Sequence, residues 1–356
     1  MLYYCSVINF ICAMKRLYLI LCLPFVALFS ACSTDIDLYA DYKQVPIIYG
    51  LLDANADTNF VKITRAFYVE NDAYQVALNP DSSNYPGKLD ARLVEYCNGD
   101  SLREIMLDTI TIRKKEPGVF YAPAQKLYYT TEPLGRNWSH RRYSYKLKVV
   151  LPERTLTTTA DLVGGDNFDV QSLGVNFSQE YFHAPSRRFL FRPAIHAGFY
   201  QVSMSFTFLE QRTPDADSVP RTLYWDLGYW YESELATFMD SECYFFTYRP
   251  ETFYAILGEF IGGDTILEQG LKRYITDYPV EICIVAGGEK LRQYVYNNNT
   301  DLGFSQGDNE FSLIDDGYGV FSSRMTVRHK VRLAGETVPE LVAMRGWGFK
   351  FIGGKE

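Results

Sequence analysis

The chain has 356 residues, 43 of them acidic and 35 basic, for a formal net charge of −8. That balance excludes nucleic acid and anionic lipid headgroups as natural partners, because both are held by basic patches. Its 28 tyrosines and 24 phenylalanines point to β-rich structure, since aromatic side chains suit the pleated, half-buried surface of a strand.

In chain order, the first segment with a clear meaning is Met14 to Cys32, MKRLYLILCLPFVALFSAC. Lys15 and Arg16 form a short positive region. Leu17 to Phe29 is an apolar run broken only by Pro24 and the phenol edge of Tyr18, and it is shorter than the roughly 20 residues a spanning helix needs. Ser30-Ala31-Cys32 closes it with small residues before a thiol. This order is that of a secretory signal ending in a lipobox, with Phe29 standing where the common pattern has Leu. The expectation is a signal peptide over residues 1–31, with Met14 as the true start, and a membrane anchor through lipid on Cys32. The alternatives are an ordinary signal peptide with a chance cysteine and an N-terminal membrane anchor. Residues 32–44 form a tether with Asp35, Asp37 and Asp41. Acids just behind a lipidated cysteine resemble the surface-export signal of Bacteroidota lipoproteins, and they also suit a merely solvated tether.

From Val45 the chain alternates between apolar and polar residues. VPIIYGLLD, NFVKITRAFYV, LDARLVEYC, LREIMLDTITIR, GVFYAPAQKLYY and YSYKLKVVLP are short runs rich in β-branched and aromatic residues. DANADT, NPDSSNYPG, NGD, KKEPG and EPLGRN separate them as turns. Six or seven strands at this spacing predict an antiparallel sandwich over residues 45–162, immunoglobulin-like or transthyretin-like. Val163 to Asn167, VGGDN, reads as a flexible joint to a second β-rich domain over 168–356. There FLFRPAI, FYQVSMSFTFLE and TLYWDLGYWY predict strands, and QRTPDADSVPR a loop. YESELATFMDSE and PETFYAILGEFI carry apolar residues at helical spacing, the second opening on Pro250 at a position where a missing N–H costs little. PVEICIVAG, RQYVYN, NEFSLI and RHKVRLAG return to strand character. The fold class is therefore mainly β in two β-rich domains, a sandwich followed by a β domain with short inserted helices.

Two segments carry a resemblance. Tyr294 to Arg324, YVYNNNTDLGFSQGDNEFSLIDDGYGVFSSR, looks like the closing segment of a group of uncharacterised Bacteroidota outer-membrane lipoproteins. Val45 to Phe67 is similar to their first strands. The resemblance implies an outer-membrane lipoprotein with a β-sandwich start, and it carries over no activity.

Catalytic patterns are scarce. Beyond the leader the histidines are His140, His183, His196 and His329, none in an HExxH pattern or at zinc spacing from a cysteine. No GxSxG elbow, Walker loop or dinucleotide fingerprint is present, and no cofactor is implied. Cys5, Cys12 and Cys22 fall in the leader; Cys97, Cys243 and Cys283 remain, too few and too widely spaced for a disulfide framework. One bridge among them and three free thiols both stay open. Asp308, Glu310, Asp315 and Asp316 crowd GDNEFSLIDDG without matching a calcium loop, so a solvated turn is the simpler reading. LYWDLGYWY offers Tyr224, Trp225 and Trp230 as a candidate ligand platform, although strand alternation puts Tyr224 and Trp225 on opposite faces, so part of the set must be core. Asp-Ser/Thr-apolar, which resembles the O-glycosylation acceptor of exported Bacteroidota proteins, occurs at Asp100, Asp108, Asp217 and Asp264, with Ser218 in the loop the best acceptor.

These features predict a non-catalytic lipoprotein of the outer membrane, displayed on the cell surface. It would capture a glycan or peptide ligand or serve an outer-membrane transport complex. A fimbrillin-like or adhesin-type assembly lipoprotein is the alternative, with VRLAG and GWGFKFIG as strands it could donate. A surface hydrolase ranks last.

Overall fold

The computed structural model describes residues 45–66, 73–113, 124–138, 141–178, 186–239, 241–262, 270–298, 313–333, 335–344 and 346–351. The leader, Cys32, the acidic tether, His140, His183, Thr265, Asp308 and Glu310 lie outside these residues.

The first half of the chain runs β1 (Pro46–Asp53), β2 (Asn59–Arg65), α1 (Ala73–Ala77), α2 (Pro80–Ser83), β3 (Asp90–Cys97), β4 (Asp100–Met106), β5 (Asp108–Ile112), β6 (Gln125–Thr130), β7 (Tyr143–Val150) and β8 (Thr155–Asp161). The second half runs β9 (Gly174–Val175), β10 (Arg187–Phe191), β11 (Phe199–Gln211), β12 (Val219–Tyr231), β13 (Tyr244–Tyr248), α3 (Pro250–Ile261), β14 (Lys272–Gly287), α4 (Glu289–Asn298), β15 (Tyr318–Leu333), α5 (Thr337–Ala343) and β16 (Phe349–Phe351). The fold is mainly β with a few short helices. One large sheet has the order β12-β11-β14-β15-β1-β2-β6-β5, with β16 beside β14 and β9 beside β15. A second sheet has the order β4-β3-β7-β8, and β10 pairs with β13.

The first half is a sandwich whose two layers are joined by alternation. In β7, Tyr143, Tyr145, Leu147 and Val149 are buried and the residues between them are not. They meet Ile48, Leu52, Val61, Ile63 and Tyr128 from β1, β2 and β6. The expected single run LREIMLDTITIR is two strands, β4 in one layer and β5 in the other, separated at buried Leu107.

In the second half, the inner face of β12-β11-β14-β15 is covered by aromatic residues from α3, β10, β13 and the segment before β10. Phe177 stacks on Phe253 at 3.8 Å between ring centroids, and Phe191 on Phe246 at 4.9 Å. α3 forms where expected: Pro250 sits in its first turn, Phe253, Tyr254, Leu257 and Ile261 are buried, and Gly262 ends it at φ 65°.

The halves share a sheet. β1 pairs in parallel with β15 from Ile47↔Tyr318 to Asp53↔Arg324, and Phe321 of β15 is buried in the sandwich core. Residues Gln44–Glu356 form a single compact unit. The core does change where a domain boundary is expected, since Leu162 belongs to the sandwich cluster and Val163 to the second one. The expected flexible joint is nevertheless packed. Gly164 and Gly165 are buried, Gly164 pairs with Ile195, and a Cβ on Gly164 would lie 2.3 Å from Trp138 Cζ2. Gly164 serves close approach of an indole ring, and Gly165 adopts φ 142°, which a side chain rarely takes.

Three more expectations change. YESELATFMDSE contributes only a single 3₁₀ turn, Glu232–Glu234; Leu235 is extended, and Thr237 bridges Tyr244, closing a loop instead of a helix. RQYVYN belongs to α4 and not to a strand, because the helix start is held from outside: Ser322 Oγ accepts a hydrogen bond from Leu291 N at 3.1 Å. VRLAG and GWGFKFIG do not hang free, since Val331 pairs with Val280 and Phe349 to Phe351 with Arg273 to Ile275.

Candidate functional site

The join between the two cores is stitched by β15. Ser323 is fully buried; its Oγ donates to Asp161 O at 2.6 Å and accepts from Val163 N at 2.8 Å. Beside Gly164 runs Pro193–Gly198. Ile195 N donates to Gly164 O at 2.6 Å, Ala194 N to Tyr200 Oη at 3.1 Å, and Gly198 N to Gly287 O at 2.8 Å. His196 is forced to φ 60°, a left-handed conformation uncommon for a residue with a Cβ. Adjacent residues of this rigid segment therefore face different hollows: Ile195 lines one cleft, and His196 and Ala197 line another.

The smaller cleft has a volume of about 600 Å³. Its wall is the start of α4. Gly198 permits this approach, as a Cβ there would lie 2.8 Å from Glu289 Oε2. Arg292 Nε donates to Glu289 Oε2 at 2.7 Å, and the Arg292 guanidinium lies 5.4 Å from the centre of the Tyr231 ring. The Arg292 bond holds the Glu289 carboxyl below the ordinary carboxylate range. Lys290 Nζ donates to Thr159 O at 2.6 Å. Burial lowers the pKa of Lys290, against the opposing pull of Asp315 and Asp161. Burial also lowers that of His196, with Asp161 opposing, so the neutral imidazole is favoured beside the carboxylate.

The larger cleft has a volume of about 1000 Å³. Trp138, Phe168, Pro193 and Ile195 give it an apolar floor, and Arg142, Arg192, Asp166, Asn167, Thr237, Glu242 and Tyr244 surround it. Both volumes lie in the range of small-molecule sites; the larger cleft mixes apolar and polar side chains, whereas the smaller is lined mostly by polar and charged ones.

The platform read from LYWDLGYWY is not one surface. Trp225 and Trp230 face inward: Trp225 lies 6.4 Å from the Phe177 ring, and Trp230 meets Phe246 edge-on at 5.5 Å. Tyr224 points away from them and is 80% exposed. A bulge in β12, where Leu227 is the extra residue opposite the Val202–Ser203 step of β11, resets the alternation, which is why residues 225 and 230 share a face despite their odd separation. Tyr229 is outward too, and Tyr231 reaches the smaller cleft. Ser218 is exposed in the loop before β12, whereas Ser101 and Thr109 lie in strands. Asp315 and Asp316 are exposed at a turn, where Asp316 O accepts from Arg154 Nη2 at 2.6 Å. Cys97, Cys243 and Cys283 are free and half-buried. His329 Nδ1 lies 3.6 Å from Asp169 Oδ1. Among the described residues, no group of three or more His, Cys, Asp or Glu side chains converges as a metal site, and no helix is long and apolar enough to cross a membrane.

Most cleft residues gave no signal in the sequence, because they come from short stretches between Trp138 and Ser322 that form no motif. The signal closest to them was the glycine pair in VGGDN; Gly164, like Gly287 and Gly288, marks a close approach that a side chain would fill.

No family model matches the chain, and no curated protein matches it either.

Proposed function

We propose that the chain is an exported outer-membrane lipoprotein, displayed on the cell surface, that captures a small ligand at the join between its two cores. Support for the address comes from the Met14–Cys32 segment and from the resemblance to Bacteroidota outer-membrane lipoproteins. The observation that carries the binding reading is the pair of clefts opening on one pinned segment, Pro193–Gly198, with side chains of both charges around them. Binding sites are concave and largely preformed, and this segment is held by backbone bonds on both sides. The chemistry is retention without turnover: the Glu289 carboxylate is taken up by Arg292, and the Lys290 ammonium by a backbone carbonyl. The assembly alternative needs a free terminal strand, and residues 331–333 and 349–351 are already paired in the sheet.

The address is tested with Cys32→Ala in the native host. The unaltered chain is expected to take up labelled fatty acid and to fractionate with the outer membrane. The variant is expected to lose the label and to appear either soluble or uncleaved at the inner membrane. Unchanged labelling and anchoring in the variant would refute the lipoprotein reading.

A further inference from the structure

We propose that the larger cleft binds a small organic anion whose carboxylate or phosphate is held between Arg142 and Arg192. The inference rests on the capture reading and deepens it by naming the ligand class.

Elsewhere in this acidic chain arginines lie against carboxylates: Arg92 with Asp90, Arg103 with Glu95, Arg273 with Glu210, Arg292 with Glu289. Arg142 and Arg192 both line the larger cleft, and among the described residues neither makes an ion pair. Their backbones are fixed from different elements. Arg142 N donates to Asn98 Oδ1 at 2.8 Å, and Asn98 N to Arg142 O at 2.9 Å. Arg192 N donates to Asp169 O at 2.9 Å, and Pro193 follows it. Two arginines thus line one hollow from anchored backbones, Arg142 also donating Nη1 to Arg141 O at 3.3 Å. A planar fork of N–H donors matches a carboxylate or phosphate oxygen pair, and such charge-assisted bonds are about twice as strong as neutral ones.

The rest of the cleft defines the body of the ligand. Trp138 and Phe168 are largely buried aromatic residues in its lining, suited to an apolar or ring-shaped group. Asp166 and Glu242 line the same cleft and balance the two arginines in formal charge, yet among the described residues none of the four is joined in an ion pair, so the guanidinium N–H donors are not taken up by these carboxylates. Their carboxylates can accept hydroxyl or ammonium donors, and they repel a second anionic group. The site is built for one anionic head on a body that carries hydrogen-bond donors or an apolar ring.

The test uses the full chain purified in detergent and three probes: hippurate, phenyl phosphate and the uncharged hippuramide. Binding is followed by calorimetry and tryptophan fluorescence. Saturable binding of at least one anionic probe is expected, with hippuramide weaker by about tenfold or more, which is about 1.4 kcal/mol. Tighter binding of hippurate assigns the head group as carboxylate, and tighter binding of phenyl phosphate assigns it as phosphate. Arg142→Gln and Arg192→Gln should each weaken the anion about tenfold with the circular dichroism spectrum unchanged. Arg192→Lys should restore part of the loss, because it keeps the charge and loses the fork. Equal affinity for hippuramide, unaltered affinity in both glutamine variants, or no binding of either anion overturns the inference. Anion binding that survives both arginine substitutions and is lost in Lys290→Gln would put the ligand in the smaller cleft, refuting this inference while leaving the capture reading in place.

Discussion

Glu210 is the most consequential charged residue within the second core. It is buried on β11 and accepts hydrogen bonds from Arg221 Nη1 and Arg273 Nε, both at 2.9 Å. Arg273 is itself 0% exposed and donates from Nη1 to Trp347 O at 2.7 Å. Burial pushes the Glu210 carboxyl upward, and the two arginine bonds outweigh it, holding the group below its ordinary value. A depressed carboxylate stabilises the fold above its unfolded pKa, and that contribution is lost as pH falls through the folded value. Glu210→Gln should therefore destabilise by about 3–5 kcal/mol, since it removes the buried carboxylate that Arg221 and Arg273 share and breaks the ion pair from one side. Replacing Glu210 and Arg273 together by methionine should cost less than the single change, because the fully buried pair is then removed whole and only the part-exposed Arg221 loses its carboxylate. Urea denaturation of the two variants measures both. A loss below about 1 kcal/mol in Glu210→Gln would show that the arginines are well solvated without it.

At the scale of elements, β8, Gly164, Ile195 and β15 form the bracket on which both clefts hang. Gly164→Ala would drive a Cβ to 2.3 Å from the ring of Trp138, a residue only 7% exposed and so with little room to move. Overpacking of this kind costs about 1–3 kcal/mol. The substitution should lower the melting temperature and change tryptophan fluorescence, since Trp138 must shift; a variant identical in both would mean that the ring yields freely. Much at this scale was legible in the sequence. Alternation is a local property, so β1, β2, β3, β7 and β11 could be read from their own residues. What was not legible depends on distant partners. RQYVYN has the composition of a strand, yet it becomes helix because Ser322 receives Leu291 N and Tyr49 meets the Tyr294 ring edge-on at 6.3 Å. The VGGDN glycines looked like a hinge because composition alone cannot show an indole lying over Gly164. The inward turn of Trp230 hangs on a bulge, a single extra residue that period-2 reading misses. The arginines of the larger cleft could not be paired from sequence, as Arg142 follows Arg141 and Arg192 follows Arg187 and Arg188, and nothing local marks which of these residues share a cleft.

At the scale of the whole molecule, the parallel pairing of β1 with β15 decides how the chain should respond to protease and denaturant. β15 pairs with β14 from the second half and β1 from the first, so one strand belongs to both cores. Opening the chain near Gly164 would not release two domains unless that ladder also parted, and with it the burial of Phe321 in the sandwich. Proteases need an extended, accessible stretch of backbone, and exposed loops supply it more readily than packed segments. Here Leu162 to Gly165 are buried, Val163 N is bonded to Ser323 Oγ, and Gly164 is bonded to Ile195 in both directions. Limited proteolysis of the folded protein should therefore leave the bonds from Leu162 to Gly165 intact, whatever else is cut. Denaturant unfolding should show one transition, with tryptophan fluorescence and far-ultraviolet circular dichroism coinciding. Mass spectrometry of the digestion products reads the first outcome directly. Early cleavage at Gly164-Gly165 into two stable fragments, or two separated unfolding transitions, would mean that the β1–β15 ladder opens on its own and that the halves are independent domains.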